Sequence, residues 1–200
     1  MVPALLSAML AAGPSGAVTL EEVAAALRRS PCWHTEFTQR YVPAGFETGA
    51  SESGGLTVAF PGRLRFDYAG AAPRVFATDG TIARTVDPTA GACTAVRLDA
   101  GDWSRLPLAA ILDPGAARAT FAVASRDRTL TLTARAPTPE LARVEIVVGG
   151  DGLPGEVTVI DESGNRNEFS FAGWRREGEP GDDLFRPALA GTVPCQPDAG

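Results

Sequence analysis

The sequence predicts a mainly β fold, about ten antiparallel strands curled into a half-closed barrel, with short helices covering an apolar concave face. Three features of the chain lead there. Between Glu52 and Asp79 the chain alternates with period two, so that Leu64, Phe66 and Tyr68 share one face and Arg63, Arg65 and Asp67 the other. Turn dipeptides punctuate the same stretch: Pro61-Gly62 precedes that strand and Asp79-Gly80 follows Val75 and Phe76, which makes the unit an antiparallel meander. Helical patterning occurs in two short stretches, enough to fill or cover a curled sheet but not to form a layer of its own.

The elements follow in order. Thr19-Leu20-Glu21-Glu22 has the form of a capping box and starts a helix with an apolar stripe of Leu20, Val23, Ala24 and Leu27. Arg28 and Arg29 complement its dipole in the last turn, and Ser30-Pro31 stops it. Residues 33–41 then read as a strand with Trp33, Thr35, Phe37 and Gln39 on one parity, and the polar-rich tract 43–53 is the first long connection. After the meander, 81–87 and 92–98 form a hairpin around Asp87-Pro88-Thr89-Ala90-Gly91. The strand pattern breaks over 103–112. There Ser104 can cap a short helix with Pro107 near its start and Leu106, Leu108, Ala109, Ile111 and Leu112 along it, an apolar plug rather than a surface helix. Strands return at 120–124, 129–135, 143–148, 156–160 and 168–172, where Leu130 with Leu132, Val144 with Ile146 and Val148, and Phe169 with Phe171 repeat the one-sided pattern.

Composition narrows the class. Two hundred residues, 44% of them apolar, make one domain with a sizeable core, and the 22 Gly and 16 Pro are spread along the chain as turns rather than gathered in a linker. All 18 positive charges are Arg, and with 24 acidic residues the net charge is -6, which argues against nucleic acid or an anionic membrane surface as partner. Residues 1–12 are apolar but too short to span a bilayer, and Ser15 and Ala17 resemble a signal-peptidase site. The expectation is a signal peptide over 1–17 and one soluble, exported domain over 18–200.

Three cysteines suit an oxidising compartment. A Cys93–Cys195 bridge would tie the tail to the sheet, although Cys32 could replace either partner. Cys32 itself, preceded by Arg29-Ser30-Pro31, does not resemble a lipid-modified cysteine.

No catalytic constellation emerges. The lone His34 has no second histidine for a metal, and no Gly-x-Ser-x-Gly surrounds a nucleophile. Asp99, Asp102, Asp182 and Asp183 match no metal loop, and Gly149-Gly150-Asp151-Gly152 is a turn without a following helix. Neither an enzyme nor a metal or cofactor is expected.

The segment GLTVAFPGRLRFDY, residues 55–68, followed by Pro73, a short strand and Asp79-Gly80, resembles the region that marks LolA-type periplasmic lipoprotein carriers. Phe37-Thr38-Gln39, Asp87-Pro88, the 107–112 segment and the 161–164 turn with Phe169 extend the resemblance from about residue 20 to residue 187. It implies a LolA-like monomer in the periplasm, with the 103–112 segment as part of a lid over a cavity for acyl chains of lipoproteins or other lipids. An inner-membrane exporter and an outer-membrane acceptor are the partners it implies.

Parity nominates the cavity walls: Trp33, Phe37, Leu56, Val58 and Phe60 from the first strands, Leu64, Phe66, Tyr68 and Val75 from the rest of the meander, Leu108, Ile111 and Leu112 from the plug, and Val144, Ile146 and Phe169 from the second half. At roughly 0.8 kcal/mol per buried CH₂, a chain of about a dozen carbons could gain on the order of 10 kcal/mol as an upper bound. One departure matters: the family usually has an arginine before the meander proline that latches the lid, and here that position is Phe60. Arg63 and Arg65 are alternatives whose parity points them outward. A different use of the same half-barrel, as an envelope interaction or sensor module binding a protein or peptide, stays open on the residues alone.

Overall fold

Thr19 and Glu22 close the expected capping box. The Glu22 N–H donates to the Thr19 hydroxyl at 3.2 Å and the Thr19 N–H donates to the Glu22 carboxylate at 2.8 Å. The helix they start, α1 (Leu20–Leu27), ends with Arg28 as its C-cap, and the Arg29 Nε–H donates back to the Ala26 carbonyl. A computed structural model describes residues 16–99, 106 and 108–197 of the chain. The expected signal peptide, for residues 1–15, and the expected roles of Trp103, Ser104 and Pro107 lie outside the described residues.

Among the described residues eleven strands follow α1 where about ten were expected. They are β1 (Cys32–Val42), β2 (Ala50–Ala59), β3 (Arg63–Tyr68), β4 (Arg74–Thr78), β5 (Ile82–Asp87), β6 (Ala92–Arg97), β7 (Phe121–Arg126), β8 (Thr129–Thr138), β9 (Leu141–Val148), β10 (Pro154–Ile160) and β11 (Arg166–Glu177). All belong to one antiparallel sheet of order β6-β5-β4-β3-β2-β1-β11-β10-β9-β8-β7. Each half is a meander, and β1 pairs with β11 to join them. The strands β6 and β7 are left as the two edges, so the sheet curls without closing.

Between those edges the chain carries α2 (Ala109–Leu112) and α3 (Pro114–Thr120). Periodicity does not announce α3, although its start signal is present: the Asp113 carboxylate accepts from the Ala116 N–H at 3.0 Å, and Pro114 sits in the first turn. Seven residues with only Ala117 buried carry too little apolar patterning to register as a helix.

The inner face of the sheet, α1 and α2 share one core, while the outer face of the first half is covered by the C-terminal segment. A 3₁₀ turn (Asp182–Phe185) lays Phe185 against Cys32 and Ala59, and all three are buried. Arg63 pairs with Asp182 at 3.1 Å and Arg65 donates to the Leu184 carbonyl at 2.8 Å. Further on, Cys195 is bonded to Cys93 of β6 across 102 positions, and the Arg84 Nε–H donates to the Cys195 carbonyl. Cys32 is the free thiol, so of the pairings left open by the sequence the chain takes the one between Cys93 and Cys195.

Candidate functional site

The alternation read from the meander decides which side chains face inward. Residues paired across an antiparallel sheet share a face. Trp33 opposes Val58, which opposes Leu64, and Leu56 opposes Phe66, which opposes Phe76. From the other half, Val144 and Ile146 oppose Leu132 and Leu130. Leu56, Leu64 and Ile146 are fully buried and Phe66 is 5% exposed.

Of the fifteen expected wall residues the structure therefore gathers Trp33, Phe37, Leu56, Val58, Leu64, Phe66, Leu108, Ile111, Leu112, Val144, Ile146 and Phe169 into one cluster, with Phe60 and Tyr68 packed on its margin. Val75 does not join them. The turn after Tyr68 sets Tyr68 against Arg74 and hence Val75 against Asp67 on the outer face, and Phe76 points inward in its place. The parity of β3 cannot be continued through a turn whose length shifts the phase. Leu130, Leu132, Phe121 and Val157 are inner-face residues missing from the expected wall. All four had the alternating signal, Leu130 with Leu132, Phe121 with Val123 and Val157 with Val159, and Val123 and Val159 pack against the same cluster.

Leu64, Phe66 and Ile146 are buried, and so are Leu108, Ile111 and Leu112 of the plug, all 5% exposed or less and members of the same core cluster. The short helices thus cover the apolar concave face, and the side chains named here are packed rather than exposed. At one end, Phe37 meets Phe66 and Tyr68 edge to face at centroid distances of 5.3 and 5.1 Å. The Tyr68 hydroxyl donates to Gln39 Oε1 at 2.7 Å, Gln39 donates on to Asn167, and burial pushes the Tyr68 hydroxyl pKa up. Four residues back along β1 from Phe37, about 13 Å, Trp33 meets α1.

How the cover is held differs from element to element. The Trp33 indole N–H donates to the Leu27 carbonyl at 2.6 Å, so α1 is fastened directly to the sheet. The plug is fastened to α1: the Arg28 Nη2–H donates to the Leu112 carbonyl at 2.9 Å, with the guanidinium 5.9 Å from the centroid of the Phe60 ring. Next to it, α3 is tied to α1 by a bidentate Arg118–Glu21 pair at 2.8 Å, whose hydrogen bonds lower the Glu21 carboxyl pKa.

Beside Arg28 opens a cleft of about 610 Å³ bounded by the β2–β3 turn at Phe60, Pro61 and Gly62, the β4–β5 turn at Asp79, Gly80 and Thr81, and Leu112 and Asp113. Burial alone would push the Asp79 carboxyl up. Donors from the Ile82 and Thr81 backbone, the Thr81 hydroxyl and Arg84 outweigh it and hold Asp79 far below the usual carboxylate range.

Among the described residues no cluster of His, Cys, Asp or Glu could hold a metal ion. A model of the outer membrane lipoprotein carrier protein LolA matches residues 29–188. The chain belongs to the LolA family.

LolA proteins are carriers by name, and the curated relatives agree. The outer-membrane lipoprotein carrier protein of Xanthomonas campestris pv. campestris (strain B100) is 30% identical over 76% of this chain and 75% of its own length. That of Xanthomonas oryzae pv. oryzae (strain MAFF 311018) is 28% identical over 98% and 96%. An uncharacterized conserved protein from Thermus thermophilus superposes with a TM-score of 0.54 at 9% identity, covering 86% of this chain and 93% of its own, a likeness of fold alone. Within the LolA pattern, Arg63 and Arg65 do face outward onto the C-terminal segment as their parity predicts. Among the described residues Arg28, from the end of α1 rather than from the position of Phe60, donates to the Leu112 carbonyl of the plug. Sequence placed Arg28 at the helix end but held no signal for its partner 84 positions away.

Proposed function

We propose that the protein carries acyl chains of lipoproteins, or of other lipids, through the periplasm by exchanging them for its own plug, receiving them from an inner-membrane exporter and delivering them toward the outer membrane. The observation that carries this reading is the plug itself. It is a four-residue helix that, with Leu108 before it, buries Ile111 and Leu112 in the same core cluster as the inner face of the sheet. Its tethers run to α1 through Arg28 and, next door, through Arg118.

The energies favour reversibility. Burying Leu108, Ile111 and Leu112 contributes roughly 1.5–3 kcal/mol each, or about 5–9 kcal/mol together, and one acyl chain of about a dozen carbons gains on the order of 10 kcal/mol at most. Replacing plug by chain is close to balanced, which suits a carrier that must both load and release. Family membership and the names of the relatives support lipoproteins as the cargo class. Among the described residues no helix is long and apolar enough to cross a membrane.

Native mass spectrometry of the exported protein, followed by organic extraction, tests the proposal. Adducts with the mass of a lipid or acylated peptide, lost on extraction while the fold survives, are expected. A clean apo mass, together with failure to take up an apolar dye, would mean that the interior is permanent core.

A further inference from the structure

The cleft beside Arg28 reaches the end of the plug at Leu112. Its lining passes from exposed turn residues Gly80, Thr81 and Asp113 to the buried Leu112, the last residue of the plug helix. Of its charged groups the two acids are already engaged. Asp79 accepts from Thr81, Ile82 and Arg84 and pairs with Arg186 at 3.4 Å, and Asp113 caps α3. Arg28 is different: the hydrogen bond it makes across the cleft ends on a carbonyl of the plug. When the plug moves out that acceptor leaves with it, and a guanidinium donor remains beside the Phe60 ring at the rim of an apolar space.

A ligand whose apolar part fills the plug's place would bring to that point the first polar atoms of its chain. We infer that the cleft seats the ester-bearing end of the acyl ligand, with Arg28 transferring its N–H from the Leu112 carbonyl to a fatty-acid ester carbonyl of the cargo. This rests on the carrier reading above and adds to it a head-group subsite and a residue that selects ester lipids. Like is exchanged for like, a peptide carbonyl for an ester carbonyl at the same donor, so the swap leaves no donor unsatisfied. A carboxylate in the same cleft would repel an anionic end, but both carboxylates here are engaged by their own partners. The other large cleft, flanking α1 at Arg29 and Arg128, offers no such exchange, since Arg29 donates to the Ala26 and Asp151 carbonyls and Arg128 to the Val148 carbonyl, none of them in the plug.

The test uses the full exported chain and matched probes: a dipalmitoylated cysteinyl peptide with ester-linked chains, its ether-linked analogue, and an apolar dye. Wild type is expected to take up the dye and to bind the ester peptide about tenfold more tightly than the ether peptide, the effect of one charge-assisted hydrogen bond. Arg28→Ala should bring that ratio to about one, whatever its effect on the affinity of both peptides through a looser plug. Diester and diether phosphatidylethanolamine distinguish the sources of the ester: a preference within the peptide pair alone assigns the cleft to a lipoprotein end, and a preference within both pairs assigns it to ester lipids in general. Failure of dye and peptides alike to bind wild type overturns the carrier reading and the subsite with it. Binding with an ester-to-ether ratio of one in wild type, or a ratio that survives Arg28→Ala, overturns the subsite alone.

Discussion

Single residues decide how tightly this fold can close. Gly54 of β2 lies where an added Cβ would come 1.9 Å from the Asp67 carbonyl and 3.1 Å from the Phe37 ring. Gly54→Ala should therefore push β3 and the aromatic cluster apart and destabilise by roughly 1–3 kcal/mol, read as a lower urea midpoint. Asp79 carries the clearest pH dependence. Its folded pKa is depressed, so the stability it contributes is present above the unfolded carboxylate value of about 3.9 and lost as pH falls below it. Asp79→Asn should flatten the acid limb of the stability–pH profile, and an unchanged limb would show that other carboxylates set it. Among single residues much was legible. Leu64 and Phe66 announce their face by alternation, whereas Arg28 reads only as a dipole-complementing charge, because a hydrogen bond to a carbonyl 84 positions away leaves no trace in local pattern.

Among elements, the covering helices are fastened in series, sheet to α1 to plug, and that order predicts which fail first. Thr19→Ala removes the cap of α1 and should cost about 1 kcal/mol. Because α1 also carries Arg28 and Glu21, its fraying should raise amide exchange in α2 and α3 while leaving β1 protected. Arg28→Ala should speed exchange at Ile111 and Leu112, whose N–H groups bond to the Leu108 carbonyl within the plug, and leave exchange in α1 unchanged. Equal acceleration in α1 would contradict the serial arrangement. Helices also mark where sequence pattern runs out: α1 has a capping box and a stripe, but α3 has a cap and no stripe, and a short helix without an apolar face is invisible to periodicity. The displaced phase of β4, which exchanged Val75 for Phe76, has a related cause. Alternation is reliable within a strand, and the turn that joins two strands resets it.

For the whole molecule, the Cys93–Cys195 bond and Phe185 hold a strap over the outer face while the inner face is left to the plug. Replacing both bonded cysteines by serine should lower stability by about 2–4 kcal/mol and bare the Cys32 thiol, now buried beneath Phe185, to alkylating reagents. A Cys32 that stays unreactive in that variant would mean that Phe185 and the arginine contacts anchor the strap unaided. The one-sheet architecture was readable because strand after strand, from Leu64 and Phe66 to Phe169 and Phe171, reports a single apolar face. Whether that face lines a cavity or a packed core was not, since the same alternation fits both alike.

Whether cargo replaces the plug is open to hydrogen–deuterium exchange of the full chain with and without a dipalmitoylated peptide. Faster exchange over 108–112 on loading is expected, with β1, β2, β3 and β9 unchanged or further protected. A bound peptide that leaves 108–112 as protected as in the empty protein would contradict the exchange of cargo for plug, and would put the ligand outside the barrel.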